Sequence, residues 1–315
     1  VKGELKEHIE YDIKMLKPPI KWLGGKTQII NEIITRFPRS MNNYHEIFLG
    51  GGSVLLALLY KITQKDVFVK KNIYAYDGNI KLIEMWQNIK DCPEKLYIET
   101  QKHVERYNSC GSEPVNRNVE TLSEALGAKE SYYFYVRRKY NKFLNDDTYD
   151  SVKMSAMFIF LNKTCFRGMH RVGPNGFNVP YGNYKSPEII NKNHINELSL
   201  AISNVQFIHL DYKKSLKIPK YKDFVYLDPP YVPITKTSFV GYSLDGFTKK
   251  HHDKLFSLCM DLFNNSIKFL MSNADSPIIE EYFDLEDFTI EKIQCKRSIN
   301  SKKPHASVYE LLVSC

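Results

Sequence analysis

Asp228, Pro229, Pro230 and Tyr231 stand in a row behind the apolar run Phe224, Val225, Tyr226 and Leu227, and their types suggest a definite chemistry. Asp228 brings a carboxylate acceptor, and the Pro229 segment brings carbonyl oxygen with no competing backbone N–H. Two acceptors side by side suit an amino group that carries two hydrogens. Tyr231 adds a flat face on which a ring bearing that amine could stack. An exocyclic base amine is a weak nucleophile because its lone pair is delocalised into the ring. Holding both hydrogens out of the ring plane would localise that pair for attack. The plainer reading of the same residues is a rigid turn that ends a strand, so the decision passes to the rest of the chain.

The elements that must hold such a site can be read from apolar spacing. A β-branched and aromatic run stopped by two prolines predicts a buried strand over 224–227. Open α/β sheets bind ligands at the carboxyl ends of their strands, which is where Asp228 would stand. A second strand is predicted from Tyr44 to Leu49, then the glycines Gly50, Gly51 and Gly52, then a helix from Val54 to Tyr60. That is the first crossover of a Rossmann-like sheet, with glycines that let a ligand approach backbone. The spacing is not G-x-G-x-x-G, which disfavours a dinucleotide, and His45 reads as a strand residue rather than a base. The runs Ile73 to Asp77 and Val205 to Asp211 also close on an acid. Asp77 could accept both ribose hydroxyls or cap the helix from Asn79, while Asp211 and Tyr212 suit a ring amine and its flat face. Gly25, Lys26 and Thr27 suggest a phosphate loop, but Ile20 stands where that motif needs glycine. Thr248 predicts a helix cap, with Leu255, Leu258, Cys259 and Leu262 on the core face and His251 and His252 in an exposed first turn. Strands over 267–271, 284–293 and 306–313 would close the sheet.

Between Asp91 and Asn204 the strand runs give way to charged helical stretches over 95–107, 131–144 and 151–163. This predicts an inserted region, 91–203, dividing a discontinuous domain of 1–90 and 204–315. Inside it Lys163, Arg167, His170 and Arg171 lead into Asn175-Gly176, a strong hairpin signal. A basic hairpin is narrow enough to enter a major groove and reach base edges and phosphates, although a solvated basic loop is the bland alternative. The excess of 44 Lys and Arg over 36 Asp and Glu, net +8, suits a polyanionic partner without requiring one. The cysteines, at 92, 110, 165, 259, 295 and 315, form no C-x-x-C pair and no Cys/His cluster, which points to reduced thiols and no metal site. Charged residues 1–10 lack an apolar signal core and no run approaches a membrane span, so an intracellular protein is expected.

Taken together, the motifs resemble the DNA adenine methylase (Dam) family of N6-adenine DNA methyltransferases. Lys21-Trp22-Leu23-Gly24-Gly25-Lys26 is similar to its opening motif, Phe48-Leu49-Gly50-Gly51-Gly52 to its cofactor motif, Phe177-Asn178-Val179-Pro180-Tyr181-Gly182 to a segment of its target-recognition region, and Asp228 to Tyr231 to its catalytic motif, in the same order. The resemblance implies an α/β, Rossmann-like S-adenosylmethionine-dependent methyltransferase fold with an inserted helical target-recognition domain bearing a β-hairpin. It implies cofactor contacts at Trp22, Lys26, Phe48, Gly50, Gly51, Asp77, Asp211, Tyr212 and Asp228. Catalysis would fall to Asp228, Pro229, Pro230 and Tyr231 acting on an adenine flipped out of duplex DNA. Lys163, Arg167, His170, Arg171, Asn178 and Tyr242 would contact DNA. No metal is implied. The expected partners are double-stranded DNA and a restriction endonuclease acting on the same sequence, with the chain a monomer or weak dimer. Val172 to Asn175 do not repeat the family's common basic-rich turn, so the target sequence does not follow. Related tetrapeptides serve RNA base and protein glutamine methylation, and a DNA-binding module without catalysis is the rival of a different class.

Overall fold

The computed structural model describes residues 14–232, 247–283, 286–296 and 307–315. Tyr242 and the loop 297–305 lie outside the described residues. Seven strands form the central sheet: β1 (Tyr44–Glu46), β2 (Ile73–Asp77), β3 (Val205–His209), β4 (Phe224–Leu227), β5 (Lys268–Ala274), β6 (Thr289–Lys296) and β7 (Ser307–Ser314). Their spatial order is β3-β2-β1-β4-β5-β7-β6. The first five pair in parallel, and β7 is antiparallel to both β5 and β6. The chain thus runs outward from β1 to β3, returns to β4 beside β1, and proceeds the other way. The gap between the carboxyl ends of β1 and β4 is the switch point at which open α/β sheets take ligands.

β4 is buried on both faces, which is why its sequence is apolar throughout rather than alternating. Phe224 and Tyr226 face one core, with Tyr44, Ala75 and Phe207, while Val225 and Leu227 face the other, with Phe269 and Met271. The first core is built by α1 (Ser53–Thr63), α2 (Ile80–Asp91) and the short helix Ile30–Ile34. It continues without a break into α3 (Pro93–Asn108), α4 (Lys129–Phe143), α5 (Ser151–Thr164) and α6 (Lys192–Ala201) through Leu96, Tyr133, Phe160 and Leu198. The helical stretches expected over 91–203 are present, and α5 is buried along almost its whole length, with Asn88 of α2 donating to Ser155 at 2.9 Å. On the other face α7 (Lys249–Asn264) buries Leu255, Leu258, Cys259 and Leu262 as its spacing predicted.

Three local expectations are corrected. His252 is only 2% exposed, not in an open first turn, because α7 turns it onto Phe247 and Phe256. Residues 277–283 form α8 (Pro277–Phe283), and the strand expected from 284 begins at Thr289. The hairpin consists of Val172–Gly173 paired with Gly176–Phe177, so its turn is centred on Pro174 and Asn175 rather than on Asn175-Gly176. Proline presets the φ that the first central position of such a turn needs. Gly176, at φ +88°, lies so close to Asn141 of α4 that a Cβ would sit 2.7 Å from its side chain. The Asn141 amide continues the pairing as a strand would, accepting from Phe177 N–H at 2.8 Å and donating to Phe177 O at 2.9 Å.

Candidate active site

A cavity of about 750 Å³ opens at the switch point, between the turn after β1, the end of β2, the end of β4 and the segment that starts at Trp22. Four of its lining side chains are carboxyls, Glu46, Asp77, Asp211 and Asp228, against the cations of Lys26 and Lys81. Lys81 is already paired with Glu84 at 3.1 Å.

Asp228 follows β4 and is held by Lys26, whose ammonium lies 2.7 Å from each carboxylate oxygen and donates its remaining hydrogen to Gly24 O at 2.5 Å. The lysine side chain is 1% exposed, whereas that of Asp228 is 21% exposed and open to the cavity. Burial is the largest influence on the Asp228 carboxyl and raises it to about 6; Lys26 pulls it down and Glu310 pushes it up. Tyr231 lies beside the pair with its ring 4.9 Å from the Lys26 ammonium, and its hydroxyl donates to Glu310 of β7 at 2.6 Å. Asn273 of β5 accepts from Val232 N–H at 3.1 Å and from Ala274 N–H at 2.9 Å, so β5 fixes the backbone immediately after the tetrapeptide. Neither Glu310 nor Asn273 was singled out in the sequence.

The glycine turn is shaped first by two tryptophans. A Cβ on Gly50 or Gly51 would come within 2.7 or 2.9 Å of Trp22, and one on Gly52 within 2.5 Å of Trp86. Trp86 also donates its indole N–H to Gly50 O at 3.3 Å. The Asp77 carboxylate is tied into the same turn, accepting from Gly50 N–H at 3.0 Å and Asn79 N–H at 2.9 Å. The helix cap expected as its alternative role belongs to Asn79, which accepts from Lys81 and Leu82. At the other end of the cavity Phe48 stacks on Tyr212 with centroids 5.8 Å apart, and Phe247 packs on Tyr212 at 5.4 Å. Asp211 caps the turn that begins at Tyr212 by accepting from Lys213 N–H at 2.8 Å.

The four basic residues expected on the hairpin are dispersed. Lys163 sits in the last turn of α5, and burial lowers its pKa. His170 precedes the hairpin and stacks on Trp22 at 5.4 Å; burial lowers its pKa to about 4, so it is neutral near pH 7 and lines the cavity. Arg167, in the left-handed region at φ +57°, and Arg171 are exposed. Arg171 spans the hairpin to Asn178, donating to its Oδ1 at 2.6 Å. The aromatic residues near His170, Phe158 and Phe177, were the available signal that this histidine would be buried.

Glu46, missed in the sequence, ends β1 in the cavity wall. Burial raises its carboxyl to about 8, opposed by the Tyr44 hydroxyl that donates to it at 2.7 Å. The unfolded chain releases this proton near pH 4.5, while the folded chain keeps it until about 8. The stabilising contribution of the protonated group is therefore full below the unfolded pKa and lost as pH rises to the folded one. Glu46→Gln should remove that loss and raise stability at alkaline pH by a few kcal/mol, on the order of the shift expressed as free energy. Thermal denaturation of both proteins from about pH 5 to about pH 9 checks this, and parallel curves would refute it.

Among the described residues no group of three or more His, Cys, Asp and Glu side chains is placed to hold a metal ion, and no helix is long and apolar enough to cross a membrane. A family model described as D12 class N6 adenine-specific DNA methyltransferase matches residues 22–299. The Type II methyltransferase M.MjaIII of Methanocaldococcus jannaschii is 34% identical over 308 residues, covering 95% of this chain and 98% of that protein. The Type II methyltransferase M1.LlaDCHI of Lactococcus lactis subsp. cremoris is 30% identical over 304 residues, covering 95% of each chain. The DNA adenine methylase of Haemophilus influenzae is 26% identical over 302 residues, covering 94% of this chain and 92% of that one.

Proposed function

The chain belongs to the D12 class of N6 adenine-specific DNA methyltransferases, and from that premise we propose how its cavity carries out the reaction. S-adenosylmethionine fits the donor set: the carboxyl oxygens of Asp77, Asp211 and Asp228 suit its hydroxyls and amino groups, and the Phe48, Tyr212 and Phe247 cluster suits a flat purine. When bound, it supplies an electrophilic methyl carbon. Trp22 and the turn at Gly50 and Gly51 would flank its amino-acid end, Asp77 would take the ribose hydroxyls, and Asp211 with Tyr212 and Phe48 would hold the adenine.

The target adenine leaves the duplex and stacks on Tyr231, which returns part of the unstacking cost, about 1–3 kcal/mol per base. The Asp228 carboxylate and the Pro229 carbonyl accept the two N6 hydrogens and turn the nitrogen lone pair out of conjugation. Pro229 and Pro230 keep the turn rigid. After transfer the nitrogen carries a surplus proton, and Asp228, its carboxyl raised to about 6, is the group placed to receive it. Residues 91–203 act as the target-recognition region. Arg167 and Arg171 meet phosphate or base edges from the hairpin side, Asn178 braces Arg171, and His170 couples that side to Trp22. Lys163 remains a proposed DNA contact from its basic stretch and Tyr242 from the resemblance alone, and a restriction endonuclease of the same specificity would be the functional partner of a monomer or weak dimer.

The observation that carries this reading is the ion-paired Asp228 at the switch point, open to the cavity beside Tyr231. Labelled methyl transfer to duplex DNA, mapped at base resolution, tests it. Methyl on adenine N6 within a short recurring sequence is the expected result; methyl on cytosine N4, or on RNA in preference to DNA, would overturn it.

A further inference from the structure

The closing strand β7 adds a side chain to the catalytic wall from 79 residues further along the chain, where Glu310 accepts from the Tyr231 hydroxyl at 2.6 Å. β7 ladders with β5 so that Glu310 stands opposite Ala274 and Leu311 opposite Asn273, which holds Val232. Two adjacent rungs of the antiparallel pair therefore grip Tyr231 and the residue after it, one through the side chain and one through the backbone. Rotation of Tyr231 about its Cα–Cβ bond would carry the hydroxyl away from Glu310, so the hydrogen bond fixes the direction in which the ring projects. The same ring lies 4.9 Å from the Lys26 ammonium that grips Asp228.

We propose that Glu310 is a positioning residue for methyl transfer: its side chain holds the Tyr231 ring in the place where the target adenine stacks. This rests on the stacking role assigned to Tyr231 above.

Four substitutions, two of them also combined, test this on duplex DNA carrying the mapped target, with single-turnover rate and S-adenosylhomocysteine affinity as readouts. Glu310→Leu should slow transfer by about 10-fold, the scale of a lost hydrogen bond to a charged group, with product-cofactor affinity unchanged. Glu310→Gln keeps an acceptor and should restore part of that rate. In a Tyr231→Phe background, which has no hydroxyl to hold, Glu310→Leu should cost less than about 2-fold. An equal loss in both backgrounds would overturn the proposal and reduce Glu310 to a strand residue. Tyr231→Leu separates the two levels: if it leaves the rate unchanged, the stacking reading falls and the proposal with it. If it slows transfer while Glu310→Leu stays additive with Tyr231→Phe, the proposal alone falls.

Discussion

Asp228→Ala should lower the single-turnover rate of methyl transfer by about 10³-fold, the upper end of what removing one preorganised hydrogen-bonding group costs. With the carboxylate gone, the Pro229 carbonyl alone can hold one N6 hydrogen, and the nitrogen lone pair relaxes back into the ring. The variant has a second effect that must be separated from the first. Lys26 is 1% exposed and gives two of its three hydrogens to Asp228, so alanine strands a buried ammonium, at about 3–5 kcal/mol of stability. Asp228→Asn lessens this because its carbonyl oxygen still accepts one hydrogen from Lys26, although its NH2 replaces the second acceptor and the counter-charge is lost, and its amide presents donors toward an amine that needs acceptors. The asparagine variant should therefore lose less stability than the alanine variant and be nearly inactive. Cofactor affinity by calorimetry should fall by much less than the rate in both. Retention of more than about a tenth of the parent rate by Asp228→Asn would remove the carboxylate from the mechanism.

Lys26→Met should produce a loss of a different kind, one that depends on pH. The resemblance gives Lys26 to the cofactor, but in the structure its hydrogens go to Asp228 and to Gly24 O. Burial already lifts the Asp228 carboxyl to about 6 against the pull of Lys26. An opposite charge at this range lowers a carboxyl by about 1–3 units, so methionine should carry Asp228 to or above neutrality. Protonated, it can no longer accept from the adenine amine. The rate near pH 7 should fall about 10-fold, because a rise of about two units from about 6 leaves roughly a tenth of the carboxyl ionised, and should recover as pH rises, with the acid limb displaced upward. Cofactor affinity should stay close to that of the parent. The contrary result, weakened cofactor binding with an unmoved pH profile, would return Lys26 to the cofactor.

Much of the frame was legible because it rests on local signals. The apolar run before Asp228, the glycine turn before α1 and the acid at the end of β2 each announce a strand end within a few residues, and strand ends are where this fold puts its ligands. The partners that tune the site are remote in sequence. Glu310 reaches Tyr231 across 79 residues, Asn273 reaches Val232 across 41, and Lys26 reaches Asp228 across 202. Nothing in the spacing of those residues encodes such contacts; they arise from strand order. Glu46 escaped notice because it stood inside the run 44–49 read as one strand, where an acid passes for an outward-facing position until both faces are known to be covered, and the observed strand ends on it. His170 was read by its charge type, and its ring turned out to serve as a packing surface for Trp22. The glycines of the turn were justified by a ligand, whereas the nearest atoms that exclude side chains there belong to Trp22 and Trp86.

The unbroken core that joins the sheet to α3, α4, α5 and α6 bears on how far target choice can be exchanged among relatives. A modular enzyme would let a recognition segment be cut at its two ends and pasted between frameworks. Here a chimera joined at residues 91 and 203 would set a foreign α5 against the native α2, where Asn88 donates to Ser155, and each mismatch in volume there would open a void or a clash in the shared core. On the recognition role proposed for 91–203, new specificity is accordingly easiest to reach at the exposed rim, around Arg167, Pro174 and Asn175, where residues can change without asking anything of the helices beneath.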